Sequence, residues 1–211
     1  MVTYWAKTPS WLKMLFPKGL VWRMPEEKEP TVYITFDDGP HPTATPFALE
    51  QLEKYDAHAT FFCVGNNVTK FPEVYKQVLQ KQHATANHTY NHMNGWKNDN
   101  DTYLANIEKA KEYIHSNLFR PPYGLIRPSQ VRLIKQKNPD WKIIMWDVLS
   151  GDFDRELSPE KCLKNVLNNI RPGSIVLFHD SEKAWDRMSY ALPKVLEYCS
   201  NKNWKMKAIS L

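Results

Sequence analysis

Apolar runs of strand length alternate along the chain with stretches of helix-period, amphipathic pattern. The runs at 31–36, 59–64, 83–87, 118–120, 142–147, 174–179 and 204–209 predict strands. The stretches near 43–56, 67–81, 101–116, 128–138, 158–169 and 183–200 predict helices. Start signals support three of them. Ser158-Pro159-Glu160 offers an N-cap, a proline in the first turn and an early acid, and Phe71-Pro72-Glu73 and Pro128-Ser129 are similar. Strand–helix alternation implies a parallel sheet with crossover helices. About seven such units predict an α/β fold closed into a distorted (β/α)-barrel of parallel strands. Residues 1–30 read as an N-terminal arm packing on a domain that spans 31–211. Asn87 to Thr102, rich in Asn, is the longest loop-like stretch, and a long polar loop in a compact domain is usually functional.

The strands of a parallel barrel deliver functional side chains at their C-terminal ends. Polar clusters fall there repeatedly: Asp37-Asp38, His88 with His92, Arg120 with Tyr123, Asp147 with Asp152, and His179-Asp180. Asp37-Asp38 alone reads equally as a solvated acidic turn, since Asp-Gly and Gly-Pro are ordinary turn signals. The two aspartates at a strand end can also reach one concave site, one holding a cation and the other taking a proton. His88 and His92 stand four residues apart, a spacing suited to metal capture from one helical turn, although isolated histidines in a polar loop are more often solvated or capping. With Asp38 they make a set of two imidazoles and one carboxylate that leaves positions open for water and substrate. One divalent ion is implied, with Zn²⁺ as the default and Co²⁺ or Ni²⁺ as alternatives. Arg120, held in the rigid Arg-Pro-Pro-Tyr-Gly turn, would favour the ionised form of a neighbouring carboxylate, or else is a surface arginine. His179 ends a fully apolar strand; it is either a backbone-bonded core histidine or a general acid oriented by Asp147 or Asp152.

Composition narrows the class. The 211 residues suffice for one domain with a substantial core, and 42% apolar with 24% charged residues excludes wholesale disorder. The net charge of +5 is spread rather than blocked, so no nucleic-acid partner is expected. Cys63, Cys162 and Cys199 form no C-x-x-C pair and their odd number argues against a disulfide framework; Cys63 reads as a small core residue. The apolar residues at 11–16 are interrupted by Lys13 and stopped by Pro17, so neither a signal peptide nor a transmembrane segment is expected. The segment reads instead as a short amphipathic piece packing on the domain or touching a membrane surface. Reduced thiols and no leader suit a cytoplasmic location, with a cell-envelope location as the alternative. Oligomeric state is left open.

The ordered set Thr-Phe-Asp-Asp-Gly-Pro (35–40), His-Thr-x-x-His (88–92), Arg-Pro-Pro-Tyr (120–123) and Leu-Phe-His (177–179) resembles the polysaccharide deacetylases of the NodB-homology, carbohydrate esterase family 4 group. Ala59 to Gly65 also resembles that family's second strand, and the likeness runs from about residue 31 to the C-terminus. The resemblance implies metal-dependent removal of acetyl groups from N-acetylated sugars of a polymer or oligomer of the peptidoglycan or chitooligosaccharide type. Carried over by position, it implies Asp38, His88 and His92 as metal ligands and Asp37 as general base. Arg120 would hold Asp37, the Tyr123 backbone N–H would bind the oxyanion, and His179 would be the general acid. Leu177 would line the acetyl pocket, with Phe153 and Pro122 beside the substrate.

Two departures stand out. The family's Asp-x-x-Asp-Trp segment reads here Leu149-Ser150-Gly151-Asp152-Phe153, so the first aspartate, the usual partner of the acidic histidine, is replaced by leucine. Asp147, two residues earlier on the same strand face, is a candidate substitute. The approach to the third strand, residues 82–87, lacks the family's glycines. Alternatives are an amide hydrolase acting on a lipid-linked or other non-polysaccharide sugar, and a non-catalytic sugar-binding relative. Asp37 and His179 speak against the last, because binding alone needs neither base nor acid.

Overall fold

The computed structural model describes residues 4–210. Nine strands form a single sheet: β1 (Leu20–Val21), β2 (Thr31–Asp37), β3 (Thr60–Cys63), β4 (Ala84–Asn87), β5 (Leu118–Phe119), β6 (Lys142–Ile144), β7 (Val148–Leu149), β8 (Ile175–His179) and β9 (Lys205–Met206). Eight of them follow one another in the order β1-β6-β5-β4-β3-β2-β8-β7, and β9 pairs with β2 off this path. Every pairing is parallel. The sheet curls into an open barrel, in agreement with the α/β-barrel expectation. The helices are α1 (Ser10–Met14), α2 (Ala44–Glu53), α3 (Gly65–Lys70), α4 (Pro72–Gln80), α5 (Asn100–Lys111), α6 (Pro128–Lys137), α7 (Pro159–Leu167) and α8 (Trp185–Asn201).

Central strand β2 is buried at all seven positions, as expected where a parallel sheet is covered on both faces. Its Phe36 stacks on Phe61 of β3 at 4.8 Å between ring centroids. Helices α2, α7 and α8 seal that side with Leu49, Val166 and Leu192, among others in one large core cluster. The three cysteines are buried and unbridged.

The elements differ most clearly from the sequence reading in four places. The single strand expected at 142–147 divides into β6 and β7, because the chain leaves β5's side of the sheet at Ile144 and re-enters beside β8 at Val148. The single helix expected at 67–81 breaks at Phe71 (φ −128°, ψ 55°), since Pro72 cannot continue α3 and opens α4 instead. The last strand shortens from 204–209 to two residues. Short β1 was not expected, and α1 falls in the stretch read only as a short amphipathic piece.

The arm's ends tie down both edges of the curled sheet. Residue Lys7 bridges Val148 antiparallel, flanked by bonds from Leu149 N–H to the Ala6 carbonyl (2.8 Å) and from Thr8 N–H to the Asp147 carbonyl (2.9 Å). Further on, β1 pairs with β6, and Met145 N–H donates to the Val21 carbonyl at 2.7 Å. Otherwise unpaired strand edges are thereby satisfied.

Candidate active site

Register brings the polar strand ends to one rim. Asp37 of β2 lies opposite His179 of β8 and Phe62 of β3; Cys63 lies opposite Asn87, and Asn87 opposite Phe119. The ladder continues one residue further, through His88 N–H to the Cys63 carbonyl (2.9 Å), Arg120 N–H to the Asn87 carbonyl (3.0 Å) and Asp180 N–H to the Asp37 carbonyl (3.1 Å). Five strand ends thus deliver Asp38, His88, Arg120, Asp152 and His179 to one concave face.

Asp38, His88 and His92 converge, with one ligand-type atom from each lying within 4.8 Å of the others. Asp38 Oδ1 is 3.1 Å from His92 Nε2 and 3.8 Å from His88 Nε2. This oxygen has no well-formed hydrogen bond although it is shielded from solvent. An orphaned buried carboxylate oxygen is costly unless a cation meets it. The two imidazoles are oriented from behind: His88 Nδ1 is 2.8 Å from the Arg120 carbonyl, and His92 Nδ1 is 3.1 Å from the Tyr123 hydroxyl. Each contact leaves Nε2 facing Asp38, the arrangement in which a histidine ligates metal. Burial lowers the His88 pKa to about 4 and His92 pushes the same way, against the pull of Asp37, so the ring is neutral and its lone pair available. Asp38 is held well below the ordinary carboxylate range: burial opposes ionisation, but His92 and His179 outweigh it. These residues fit a divalent ion by donor type, by the His88 tautomer and by the unmet oxygen.

Asp37 lies beside this triad in different company. Its Oδ1 accepts from Arg120 Nη1 at 2.6 Å, and its Oδ2 stands 3.7 Å from His88 Nε2. Arg120 is fully buried. It donates also to Thr35 Oγ1 (2.9 Å) and to the carbonyls of Ile144 (3.2 Å) and Met145 (3.0 Å), with its guanidinium 3.8 Å from the centre of the Phe62 ring. So Arg120 is no surface residue; its hydrogen bonds hold one edge of Asp37 and leave Oδ2 directed toward the triad.

The partner of His179 is Asp152. Asp152 Oδ1 meets His179 Nδ1 at 2.7 Å, and Oδ2 accepts the His179 backbone N–H at 2.7 Å. Asp147, the other candidate, is turned away: its carboxylate accepts from Ile175 N–H (2.9 Å) and Ser174 Oγ (3.2 Å) at the opposite end of β8. The leucine at 149 is therefore not compensated by Asp147, and Asp152 alone serves. Burial lowers the His179 pKa, but Asp152, with smaller help from Asp38 and Asp37, raises it to about 9. Phe153 packs edge-on against the His179 ring at 5.4 Å. Leu177, buried, shares the strand face of His179 two residues on. Pro122 is buried, whereas Tyr123 is 60% exposed and left-handed at φ 62°.

Several supporting residues carried no assigned role in the sequence reading. Asp180 Oδ1 accepts from Gly39 N–H (3.0 Å) and Oδ2 from Thr45 Oγ1 (2.5 Å), pinning the turn that follows Asp38. A Cβ on Gly39 would fall 2.0 Å from Asp180 Oδ2, so only glycine fits there. Asn67 Nδ2 donates to the Asp38 carbonyl at 2.7 Å. Asn106 of α5 accepts from Tyr90 and Asn91 N–H at 2.8 and 3.0 Å, fixing the loop between the two histidines. These bonds hold Asp38 (φ 82°), Thr89 (φ 63°) and His92 (φ 54°) in the left-handed region, at a strain of order 1–3 kcal/mol each. The adjacency of Asp180 to His179 was the only sequence signal for any of them.

Comparison with known proteins agrees with this geometry. The polysaccharide deacetylase family model matches residues 25–138. Two peptidoglycan-N-acetylglucosamine deacetylases of Bacillus cereus are similar. One is 34% identical over 94% of this chain and 95% of its own length, and the other 36% identical over 71% of this chain but only 56% of its own length. The crystal structure of the Bc1960 peptidoglycan N-acetylglucosamine deacetylase, in complex with a naphthalenyl N-oxidanyl-benzamide, superposes with a TM-score of 0.84 at 30% identity, covering 95% of this chain and 94% of that one. With the fold matched over 95% of the chain and the family model spanning the strands that carry Asp37, Asp38, His88, His92 and Arg120, the chain belongs to the polysaccharide deacetylase family.

Proposed function

We propose that this polysaccharide deacetylase hydrolyses the acetamide of N-acetylated sugars in a peptidoglycan- or chitooligosaccharide-type chain, using one divalent ion, Zn²⁺ by default, held by Asp38, His88 and His92. The observation that carries the metal-dependent reading is the unmet Asp38 Oδ1 facing the Nε2 atoms of two imidazoles, next to a second carboxylate whose other oxygen Arg120 engages. Such an ion, when bound, would polarise the acetyl carbonyl and acidify a water.

The remaining roles follow from the chain's own groups. Asp37 is the base that takes the water proton at Oδ2, while Arg120 prevents it from rotating away or joining the metal ligands. The Tyr123 N–H, on a residue with left-handed backbone (φ 62°), serves the developing oxyanion. His179, kept protonated by Asp152, delivers a proton to the leaving amine at Nε2. Leu177 and Phe153 exclude water around the acetyl methyl, with Pro122 completing the wall. One cleft is lined by Asp38, Asn66, Asn91 and His92, and another by His41, Arg155, Lys183 and Trp185.

A non-catalytic binding role leaves the buried Asp37–Arg120 pair and the His179–Asp152 pair without a purpose. The test is an acetate-release screen over N-acetylglucosamine oligomers, peptidoglycan fragments and acetylated xylan, before and after chelation. Release from the N-acetylated substrates that stops on chelation and returns with Zn²⁺ is expected. Release from xylan alone, or undiminished release after chelation, overturns the reading.

A further inference from the structure

Large apolar side chains that stand in water gather on the arm and its neighbour loop. Trp5 (48% exposed), Trp11 (52%), Met14 (79%) and Leu15 (74%) belong to the arm, and Trp96 (55%) lies beside it. Trp5 and Trp11 meet edge to face at 5.6 Å. Leu12, Leu15 and Phe16 line an apolar groove with Trp96 and Ile126. None of this is a dangling tail. The hydrogen bonds of residues 6–8 to the β7 edge and of β1 to β6 fix the segment at both ends, so α1 and its flanks are held outward.

Charge is distributed unevenly in the same place. The first 25 residues carry Lys7, Lys13, Lys18 and Arg23 and no acid; the rest of the chain nearly balances, with 24 cations against 23 acids. Lys7 and Lys18 are exposed and, among the described residues, pair with no carboxylate. Arg23 is paired with Glu26, and half-buried Lys13 lies along the Trp22 ring. Lys97 adds a further exposed cation next to Trp96. The acid nearest in sequence to Trp96, Asp99, is engaged in capping α5.

We propose that this face is a membrane-surface contact that seats the protein on an anionic phospholipid bilayer. Indoles favour the headgroup boundary, aliphatic side chains such as Met14 and Leu15 enter the acyl edge, and unpaired lysines meet anionic lipid. A glycan would need hydrogen-bonding groups that Met14 and Leu15 lack. A second copy would set one predominantly basic face against another, which repels. The groove is bordered by the loops that follow β4 and β5, with Trp96 four residues after His92 and Ile126 three after Tyr123. Docking there would hold the catalytic rim beside the bilayer.

The experiment is sedimentation of the full chain with vesicles of phosphatidylcholine alone and of phosphatidylcholine mixed with phosphatidylglycerol, with no sugar present. It therefore reads independently of the deacetylase reading. Binding to the mixed vesicles only, weakened by salt, is expected, and each of Lys7→Gln and Lys18→Gln should lower it about fivefold. The pair Trp11→Ser and Leu15→Ser should abolish it while acetate release from a soluble oligosaccharide is unchanged. If the paired variant fails to fold, the lipid and salt dependence of the unaltered chain still decides. Absence of sedimentation, equal binding to both vesicle types, or a dimer in light scattering that Leu15→Ser dissolves would each overturn the proposal.

Discussion

Asp152→Asn should move the alkaline limb of the activity profile to lower pH without emptying the metal site. Asp152 makes two bonds to His179, one to each of Nδ1 and the backbone N–H. Asparagine offers one oxygen and one NH₂, so it can satisfy only one of those donors. If the oxygen keeps the backbone N–H, the amide NH₂ faces Nδ1 and disfavours the imidazolium directly. In either orientation the negative charge is gone, while burial continues to oppose protonation. The His179 pKa should then fall from about 9 to 6.5 or below. At about pH 8 the protonated fraction drops from about nine-tenths to about three-hundredths, a thirtyfold loss. At about pH 6 the same change costs less than about twofold. A bound cation would lower the limb in both proteins together, so the difference between them is the quantity to read. The assay is initial-rate acetate release from N-acetylglucosamine oligomers across pH, with metal content measured in parallel. A uniform loss at every pH, with the limb unmoved, would refute His179 as an acid tuned by Asp152.

Two further outcomes bear on the scaffold. Arg120→Met leaves Asp37 buried without its cation and strands the Ile144 and Met145 carbonyls; urea unfolding should show a loss of about 3–5 kcal/mol together with loss of activity. His83 is buried and accepts the Ala59 N–H at Nδ1, and burial, then His58 and Lys81, lowers its pKa to about 4. Because its folded pKa lies below the unfolded value of 6.5, its contribution is present above pH 6.5 and is lost as pH falls through that window to 4. The loss amounts to about 3 kcal/mol, and His83→Gln should flatten that part of the stability profile in unfolding experiments at successive pH values.

Much of this site could be read from the chain because its chemistry is anchored at strand ends. The seven buried positions of β2 and the Gly39-Pro40 turn announce where Asp37 and Asp38 must stand, and the same logic places His88, Arg120 and His179. What the chain hid depends on three-dimensional path. Residues 142–147 read as one strand ending at Asp147, so Asp147 looked available to His179. The break after Ile144 and the turn at Gly151 instead bring Asp152 across and leave Asp147 at the far end of β8. Short α1 and β1 are too brief for periodicity to define them, and hydrogen bonds to the sheet edges hold the chain on either side of α1 rather than intrinsic preference. The left-handed Asp38, Thr89, His92 and Tyr123 carry no glycine to betray them; Asp180, Asn67 and Asn106 enforce the first three from other parts of the chain.

The two aspartates at the end of β2 are assigned different work, and one pair of variants separates them. Asp37→Asn and Asp38→Asn are purified, loaded with Zn²⁺, and compared with the unaltered protein for bound metal and for acetate release. Asp37→Asn should keep about one metal per chain and lose about 10²- to 10⁴-fold in turnover, as removal of a general base does, whereas Asp38→Asn should lose both metal and turnover. Undiminished acetate release by Asp37→Asn, or full metal retention by Asp38→Asn, would contradict the division of labour between them.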